Sequence, residues 1–138
     1  MKESGIYHNV YRDENNQLVG EQEEKNLLEK IFPIDELSIT PESTLYAYTS
    51  IYSPAGINTT LKHIWEYKNG SEAWTEFNTV SFDLTGGRTG GFRWYSFAET
   101  FPGDWRVRTT TQHGQEIGVL FFEVRHTEIT PPLQLEIL

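Results

Sequence analysis

The sequence contains no cysteine and only one methionine. Without thiols the chain has no disulfide, no thiolate metal ligand and no cysteine nucleophile. It also has no apolar run of the roughly 20 residues that a membrane-spanning helix needs. Residues 1–11 lack the apolar segment of a secretory signal peptide. The absence of cysteine fits the cytosol and a disulfide-free periplasm equally well, so it does not decide the compartment.

Basic residues are outnumbered, with 11 Lys and Arg against 20 Asp and Glu and a net charge of −9. The acidity is uneven: residues 1–42 carry ten acidic and four basic side chains, whereas residues 43–126 carry eight and seven. A nucleic-acid backbone requires a basic stripe, and none dominates here. We therefore expect no nucleic-acid partner.

Aromatic residues are plentiful at 14% of the chain, so even a thin two-layer core can bury substantial area. From residue 44 onward, short runs suited to strands alternate with turn signals such as Asn69-Gly70 and His113-Gly114. The predicted strand segments are Thr44–Tyr52, Thr59–Tyr67, Trp74–Phe77, Val80–Leu84, Phe92–Ala98, Trp105–Thr109 and Ile117–Val124. This pattern predicts an all-β fold, an immunoglobulin-like two-sheet antiparallel sandwich of six to seven strands.

Alternation within the strands predicts which side chains form the core. Trp65 and Trp105 are aligned with apolar residues on one face of their strands and are expected to be core rings. His63 shares the apolar face of Trp65, and we interpret it as a buried histidine that hydrogen-bonds a backbone carbonyl. Residues 117–124 are nearly all apolar and predict a central strand buried on both faces.

The N-terminal third predicts a short helix over Glu21–Phe32, with apolar residues on one face and Pro33 as its end. Asn15-Asn16 indicates a turn, which fits either a hairpin or an ordered arm. We therefore divide the chain into an acidic arm with the helix at 1–42, a β domain at 43–126 and a C-terminal tail at 127–138. Nothing ordered is predicted beyond Pro131-Pro132.

A series of ordered motifs in the β region resembles a bacterial family, domain-of-unknown-function family 2914, over about residues 53–125. The motifs are Pro54-Ala55-Gly56, His63-x-Trp65, Gly86-Gly87-Arg88, Gly91-Phe92-Arg93 with Ser96, Gly103-x-Trp105-x-Val107, Gly114-Gln115-x-Ile117-Gly118 and Phe122-x-Val124. The resemblance implies a small β domain, often C-terminal to membrane-spanning segments or other modules of bacterial envelope proteins. It implies no activity.

The chain departs from the family pattern at two places. Trp94-Tyr95 stands where the family more often has a small polar residue followed by an aromatic one, and the run after Gly118 is more apolar than the family pattern. An apolar replacement on an exposed face would indicate contact with another domain or subunit. The resemblance places the domain in the bacterial envelope, periplasmic or otherwise extracytoplasmic, and the sequence leaves a cytoplasmic location open.

Residues that carry chemistry form no recognisable catalytic or metal set. The chain has four histidines but no Gly-x-Ser-x-Gly nucleophile elbow. His113 and His126 have no second histidine at ligand spacing. The glycine-rich segment 86–91 lacks the Lys-Ser/Thr of a phosphate loop. We therefore predict no catalytic residues, no metal and no cofactor.

A set of arginine and tyrosine residues is the strongest candidate for binding. On alternation, Arg93 and Tyr95 share a face of one strand, and Arg106 and Arg108 share a face of another, with Arg88 in the preceding glycine loop. If the two strands are neighbours, the side chains form one polar-aromatic patch, a composition common in binding hot spots. The alternative is a solvated outer face on which acidic side chains pair the arginines.

These observations predict a non-catalytic accessory domain that binds a protein partner or its own membrane domain. The arginine-aromatic face and the apolar strand after Gly118 are the predicted contact surfaces. A carbohydrate-binding module whose exposed rings stack on sugars is the alternative. An enzyme subunit with a shallow site near His63 is a weaker one.

Overall fold

The computed structural model describes residues 3–23, 36–39, 44–51, 57–68, 70, 72–86, 92–126 and 133–138. Every regular element among them is a β-strand. The strands are β1 (Glu3–Tyr7), β2 (Asn9–Arg12), β3 (Leu18–Glu23), β4 (Glu36–Ile39), β5 (Thr44–Ile51), β6 (Ile57–Lys68), β7 (Thr75–Gly86), β8 (Phe92–Glu99), β9 (Gly103–Thr111), β10 (Glu116–His126) and β11 (Leu133–Ile137). The all-β prediction is confirmed.

The strands form three sheets, of order β1-β5-β8, β4-β10-β9-β6-β7 and β11-β3-β2. All neighbouring strands are antiparallel except β4, which runs parallel to β10 at the edge of the five-stranded sheet. The turn signals act where the sequence places them. Gly70 and Gly114 adopt φ values of 71° and 84°, which glycine tolerates because it has no Cβ.

The three-stranded sheet β1-β5-β8 and the five-stranded sheet enclose a shared core. Leu45 and Ala98 of the first sheet pack with Trp65, Trp105 and further apolar side chains of the second. Both indoles are fully buried, as predicted. Alternation along β9 shows how this burial arises, because Trp105 and Val107 point inward and are buried whereas Arg106 and Arg108, which alternate with them, are half-buried on the other face.

The third sheet covers the outer side of β5. Tyr48, which faces away from the main core, is only 1% exposed because it packs with Tyr7, Val10, Leu18 and Leu138. The hairpin β2–β3 contributes to this cluster. Of the two alternatives for the turn at Asn15-Asn16, a hairpin or an ordered arm, the structure therefore has the hairpin. Asn16 turns it with φ 60°.

Four predictions need correction, and the first concerns the C-terminus, where Leu133–Ile137 forms β11 beyond Pro131-Pro132. No helix is present among the described residues: Glu21, Gln22 and Glu23 belong to β3, and residues 24–35 lie outside the described part of the chain. Strand β10 is not buried on both faces, because the Phe121 ring is 56% exposed on its outer side. Trp74–Phe77 and Val80–Leu84 are not separate strands, since most of both fall within the single 12-residue strand β7.

Candidate functional site

His63 lies at the centre of a buried polar network between the two main sheets. Its Nε2 atom is 2.7 Å from Thr49 Oγ1 on β5, and its Nδ1 atom is 2.8 Å from Ser96 Oγ on β8. Trp65 Nε1 donates to the same Ser96 oxygen at 2.9 Å. The predicted burial is confirmed, but the expected backbone carbonyl partner is wrong, because two hydroxyl groups take that role.

The network requires a neutral imidazole. Burial lowers the pKa of His63 from 6.5 to about 4, since a charged ring in this site would lose its hydration. A neutral ring also has one acceptor nitrogen, to which a hydroxyl donates. The rings of Phe82 and Trp94 complete the enclosure, with centroids 5.3 and 5.9 Å from that of His63. With no exposed surface and both nitrogens engaged, His63 contacts no solvent-borne molecule in this conformation.

A second polar network lies on the outer face of the five-stranded sheet. Glu66 Oε1 accepts hydrogen bonds from Arg106 Nε at 2.8 Å and from Arg108 Nε at 2.6 Å. Burial raises the pKa of the Glu66 carboxyl, but these hydrogen bonds outweigh it, so the net pKa lies below its usual value. The bond to Glu66 correspondingly raises the pKa of Arg108. Both arginines are therefore engaged in intramolecular ion pairs with one carboxylate on this face.

Trp74 extends this network along the surface. The Arg106 guanidinium carbon lies 4.5 Å from the Trp74 ring centroid, and Lys68 Nζ lies 5.0 Å from it. Phe121, the exposed ring of β10, is 6.1 Å from the Trp74 ring. The Arg106 and Lys68 side chains thus make cation–π contacts with an indole of their own chain.

The other two described members of the predicted patch lie on a different sheet. Arg93 and Tyr95 are exposed on the outer face of β8, which belongs to the three-stranded sheet, whereas Arg106 and Arg108 lie on β9. The structure therefore brings Arg93 together with Tyr95, and Arg106 with Arg108, but does not join the pairs. Arg88 lies outside the described residues.

The outer face of β8 carries an aromatic row, in which Tyr95 and Phe97 are exposed and Tyr46 is half-buried. Tyr46 of β5 lies 6.0 Å from Tyr95 and 5.5 Å from Phe97, measured between ring centroids. Phe97 is 58% exposed and Tyr95 is 38% exposed. Arg93 stands at one end of the row, and it forms no ion pair or hydrogen bond with any described residue. We call Tyr46, Arg93, Tyr95 and Phe97 the aromatic face.

Sequence reasoning found Arg93 and Tyr95 but missed Tyr46, Phe97 and Glu66. The alternation of β8 already placed Phe97 beside Tyr95 on the outer side. Tyr46 and Glu66 required the strand order, since Tyr46 is brought opposite Phe97 and Glu66 opposite Arg106 only by pairing between distant segments.

An open cleft of about 640 Å³ lies between β7 and β8, lined by Ser81, Phe82, Asp83, Leu84, Phe92, Arg93 and Trp94. Asp83 accepts a hydrogen bond from Thr60 at 2.9 Å. The cleft thus offers one carboxylate and one guanidinium beside apolar walls. Within the described part of the chain, no three potential metal-ligating side chains cluster. None of the described segments forms a helix with the length and apolarity of a membrane span.

Comparison with known proteins gives a family for the central segment. Residues 58–124 match the model of a family described as a protein of unknown function (DUF2914). This segment belongs to DUF2914. The match confirms the resemblance expected from the sequence motifs. The DUF2914 segment covers β6 to β10 and includes His63, Trp65 and Ser96, whereas Thr49 comes from the strand before it.

No curated protein matches the chain. Among solved structures, the chain is similar to an alkylpurine DNA glycosylase, AlkC of Pseudomonas fluorescens, bound to DNA containing an abasic site analog. The identity is 18% and the TM-score 0.45. The alignment covers 64% of this chain and 27% of that protein.

Proposed function

We propose that this chain is a non-catalytic interaction domain that binds a protein partner through its aromatic face. The observation that carries the proposal is the row of Tyr46, Tyr95 and Phe97 on the outside of a sheet whose inner side is filled. Contiguous exposed rings on a domain of this size are typical of interaction sites. Aromatic residues and arginine are also enriched in the energetic centres of protein interfaces.

The arginines of the domain differ in what they can contribute. Arg106 and Arg108 are held by Glu66, so using them would require breaking charge-assisted hydrogen bonds. Arg93 is exposed and makes no such bond among the described residues. A partner that places an acidic group beside apolar side chains therefore fits the aromatic face.

We further propose that the two main sheets form an immunoglobulin-like sandwich. The order β1-β5-β8 corresponds to strands A, B and E, and the order β10-β9-β6-β7 corresponds to G, F, C and C′. In this assignment the hairpin β2–β3 and strand β11 are additions. We also propose that the domain belongs to a bacterial envelope protein, which the family resemblance supports, and that its partner is another protein or the membrane domain of the same protein.

A second candidate function is carbohydrate binding, and the cleft between β7 and β8 favours it. Asp83 and Arg93 supply the acceptor and donor groups that bind sugar hydroxyls. The aromatic face suits sugars less well, because its rings are inclined by 51° and 43° and form no common stacking plane. We propose no catalytic role for His63, since its ring is buried.

In-cell photo-crosslinking tests the leading proposal. A photo-reactive amino acid replaces Phe97 in the native bacterium, and the matched control replaces Phe121, because these rings are 58% and 56% exposed on different sheets. We expect position 97 to give an adduct of defined mass with a protein other than a second 16.0 kDa copy of this chain, and position 121 to give none of that mass. Adducts only from position 121, or none from position 97, would contradict the proposal.

Two further measurements test the carbohydrate candidate and the envelope assignment. A glycan array probed with the purified chain and with Asp83→Ala tests the carbohydrate candidate, which requires a signal that the substitution removes. Fractionation of the native bacterium tests the envelope assignment, which a purely cytosolic distribution would overturn.

A further inference from the structure

We propose that a second copy of this chain pairs with the free edge of β8 and forms a symmetric dimer. This goes beyond the proposed function, because the second copy pairs with the backbone edge of β8, although Arg93, Tyr95 and Phe97 of the aromatic face also take part in the pairing. The inference rests on the edge itself and on the order of residues along it.

Among the described strands, β8 is the last one of its sheet. Its only described neighbour is β5, so one side of its eight-residue backbone has no strand partner within the described segments. In the proposed immunoglobulin-like assignment, this is the side on which a constant-type domain carries strand D. Such an edge is a template for another strand, because its unpaired N–H and C=O groups form a continuous row.

The side chains of β8 are complementary to themselves when the strand is reversed. The outward-facing residues are Arg93, Tyr95, Phe97 and Glu99 in that order. In an antiparallel pair centred on Ser96, Arg93 lies opposite Glu99 of the second copy and Tyr95 lies opposite its Phe97. The two-fold symmetry repeats both pairs, giving two opposite-charge pairs and two aromatic pairs.

The residues that would form the ion pairs are available. Arg93 and Glu99 are both exposed, and neither forms an ion pair or hydrogen bond with a described residue. The inner side of the strand is also compatible, since the same register sets the large Trp94 opposite the small Ala98. The dimer would thus join two three-stranded sheets into one sheet of six.

Other registers lose this complementarity. A shift of two residues places Arg93 opposite Phe97 and leaves Glu99 opposite no basic residue. A shift of one residue places the outward Arg93 opposite the inward Ala98. The outer face of one copy would then lie on the same side of the joint sheet as the inner face of the other. Only the register centred on Ser96 pairs both charges, and charge complementarity therefore favours a second copy over an unrelated strand.

Sedimentation equilibrium of the purified chain over a wide concentration range tests the inference. We expect the mass to approach twice the chain mass of 16.0 kDa. Arg93→Glu and Glu99→Arg each set like charges against each other, so both should shift the equilibrium to monomer. The double variant restores opposite charges and should restore the dimer. Arg125→Glu, on exposed β10, is the control and should remain dimeric.

Thiol cross-linking provides a readout of position. The chain has no cysteine, so Phe97→Cys and Phe121→Cys each carry a single thiol. Diagonal neighbours across an antiparallel pair are about 7–8 Å apart, so a short bifunctional thiol reagent should link two copies at position 97 and not at position 121.

Four results would overturn the inference: a monomer at every concentration, a dimer that survives both single charge reversals, a double variant that stays monomeric, or equal cross-linking at positions 97 and 121. Circular dichroism of each variant separates loss of pairing from loss of folding. A monomeric wild-type chain would overturn the dimer while leaving the partner proposal intact, since that proposal is tested by adducts of a different protein.

Discussion

His63 Nδ1 lies 2.8 Å from Ser96 Oγ, and this contact joins the two main sheets from the inside. Ser96 also accepts the indole N–H of Trp65, so one hydroxyl serves two buried aromatic groups from the facing sheet. A buried polar group left without a partner is strongly unfavourable, and the hydroxyl therefore helps fix how the sheets face each other.

Ser96→Ala tests this role of the hydroxyl. The substitution leaves Trp65 Nε1 and one nitrogen of His63 without their partner, so we expect a loss of about 1–3 kcal/mol in the free energy of unfolding. Urea denaturation measures it. Ser81→Ala, at an exposed position on β7, is the control and should change stability by less than about 0.5 kcal/mol. Equal losses for both variants would contradict the prediction.

The pH dependence of stability should reveal the buried imidazole. The pKa of His63 is about 4 in the folded chain against an ordinary 6.5, so between these values the unfolded chain binds the extra proton. The contribution of His63 to the free energy of unfolding is therefore fully present above pH 6.5. This contribution falls as the pH drops towards 4, by about 3 kcal/mol in total.

Urea denaturation at a series of pH values measures that contribution. We expect His63→Gln to remove this part of the pH dependence, because the amide does not titrate in the window. His113→Gln, in the exposed β9–β10 turn, serves as the control and should keep the wild-type slope. An unchanged slope in His63→Gln would show that other groups produce it.

Glu66→Gln should destabilise the outer network. The substitution removes the charge that Arg106 and Arg108 share, and we expect a loss of about 1–3 kcal/mol, below the figure for a fully buried pair because both arginines are partly solvated. Since the pKa of Glu66 is lowered, this stabilisation is present at neutral pH and disappears as pH falls through the folded-state value.

The matched control for Glu66 is Glu123→Gln. Glu123 and Arg125 lie 3.7 Å apart with about half of each side chain exposed, so this change should alter stability by under about 0.5 kcal/mol. Chemical denaturation at neutral pH compares the two variants. A Glu66→Gln chain as stable as Glu123→Gln would mean that the arginines find equivalent partners elsewhere.

Gly20→Ala tests the contact between the third sheet and β1. A Cβ atom at position 20 would lie 2.6 Å from Cδ1 of the Tyr7 ring, well inside van der Waals contact. We expect a loss of about 1–3 kcal/mol from overpacking. In a Tyr7→Ala background the clash is absent, so the same change should have much less effect, and a double-mutant cycle by urea denaturation measures the difference. Additive effects would contradict the contact.

The central strands were predictable because their signals are local. Alternation placed Trp65 and Trp105 inside, and glycine turns ended the strands near the correct residues. Strands β1, β4 and β11 were missed because they have only four or five residues, too few for a local pattern to decide, and they are stabilised by pairing with distant partners. Local pattern and long-range pairing also compete at residues Glu21–Glu23, where pairing with β11 overrides a helical pattern.

In the candidate site, too, the features set by local alternation were predictable and those set by strand order were not. The outward positions of Arg93, Tyr95, Arg106 and Arg108 follow from period-two alternation and are correct. Which of them meet depends on strand order, and β8 and β9 belong to different sheets. The alternative in which acidic side chains pair the arginines describes Arg106 and Arg108, but their partner Glu66 emerges only from the pairing of β6 with β9.

The most direct test of the aromatic face is the affinity for the protein captured at position 97. The double variant Tyr95→Ala/Phe97→Ala should bind that protein at least about tenfold more weakly, a loss of about 1.4 kcal/mol or more that is typical of interface hot spots. Phe121→Ala, with a ring of nearly equal exposure on the other sheet, should bind within about twofold of wild type. Unchanged binding by the double variant, or an equal loss in Phe121→Ala, would contradict the assignment of this face.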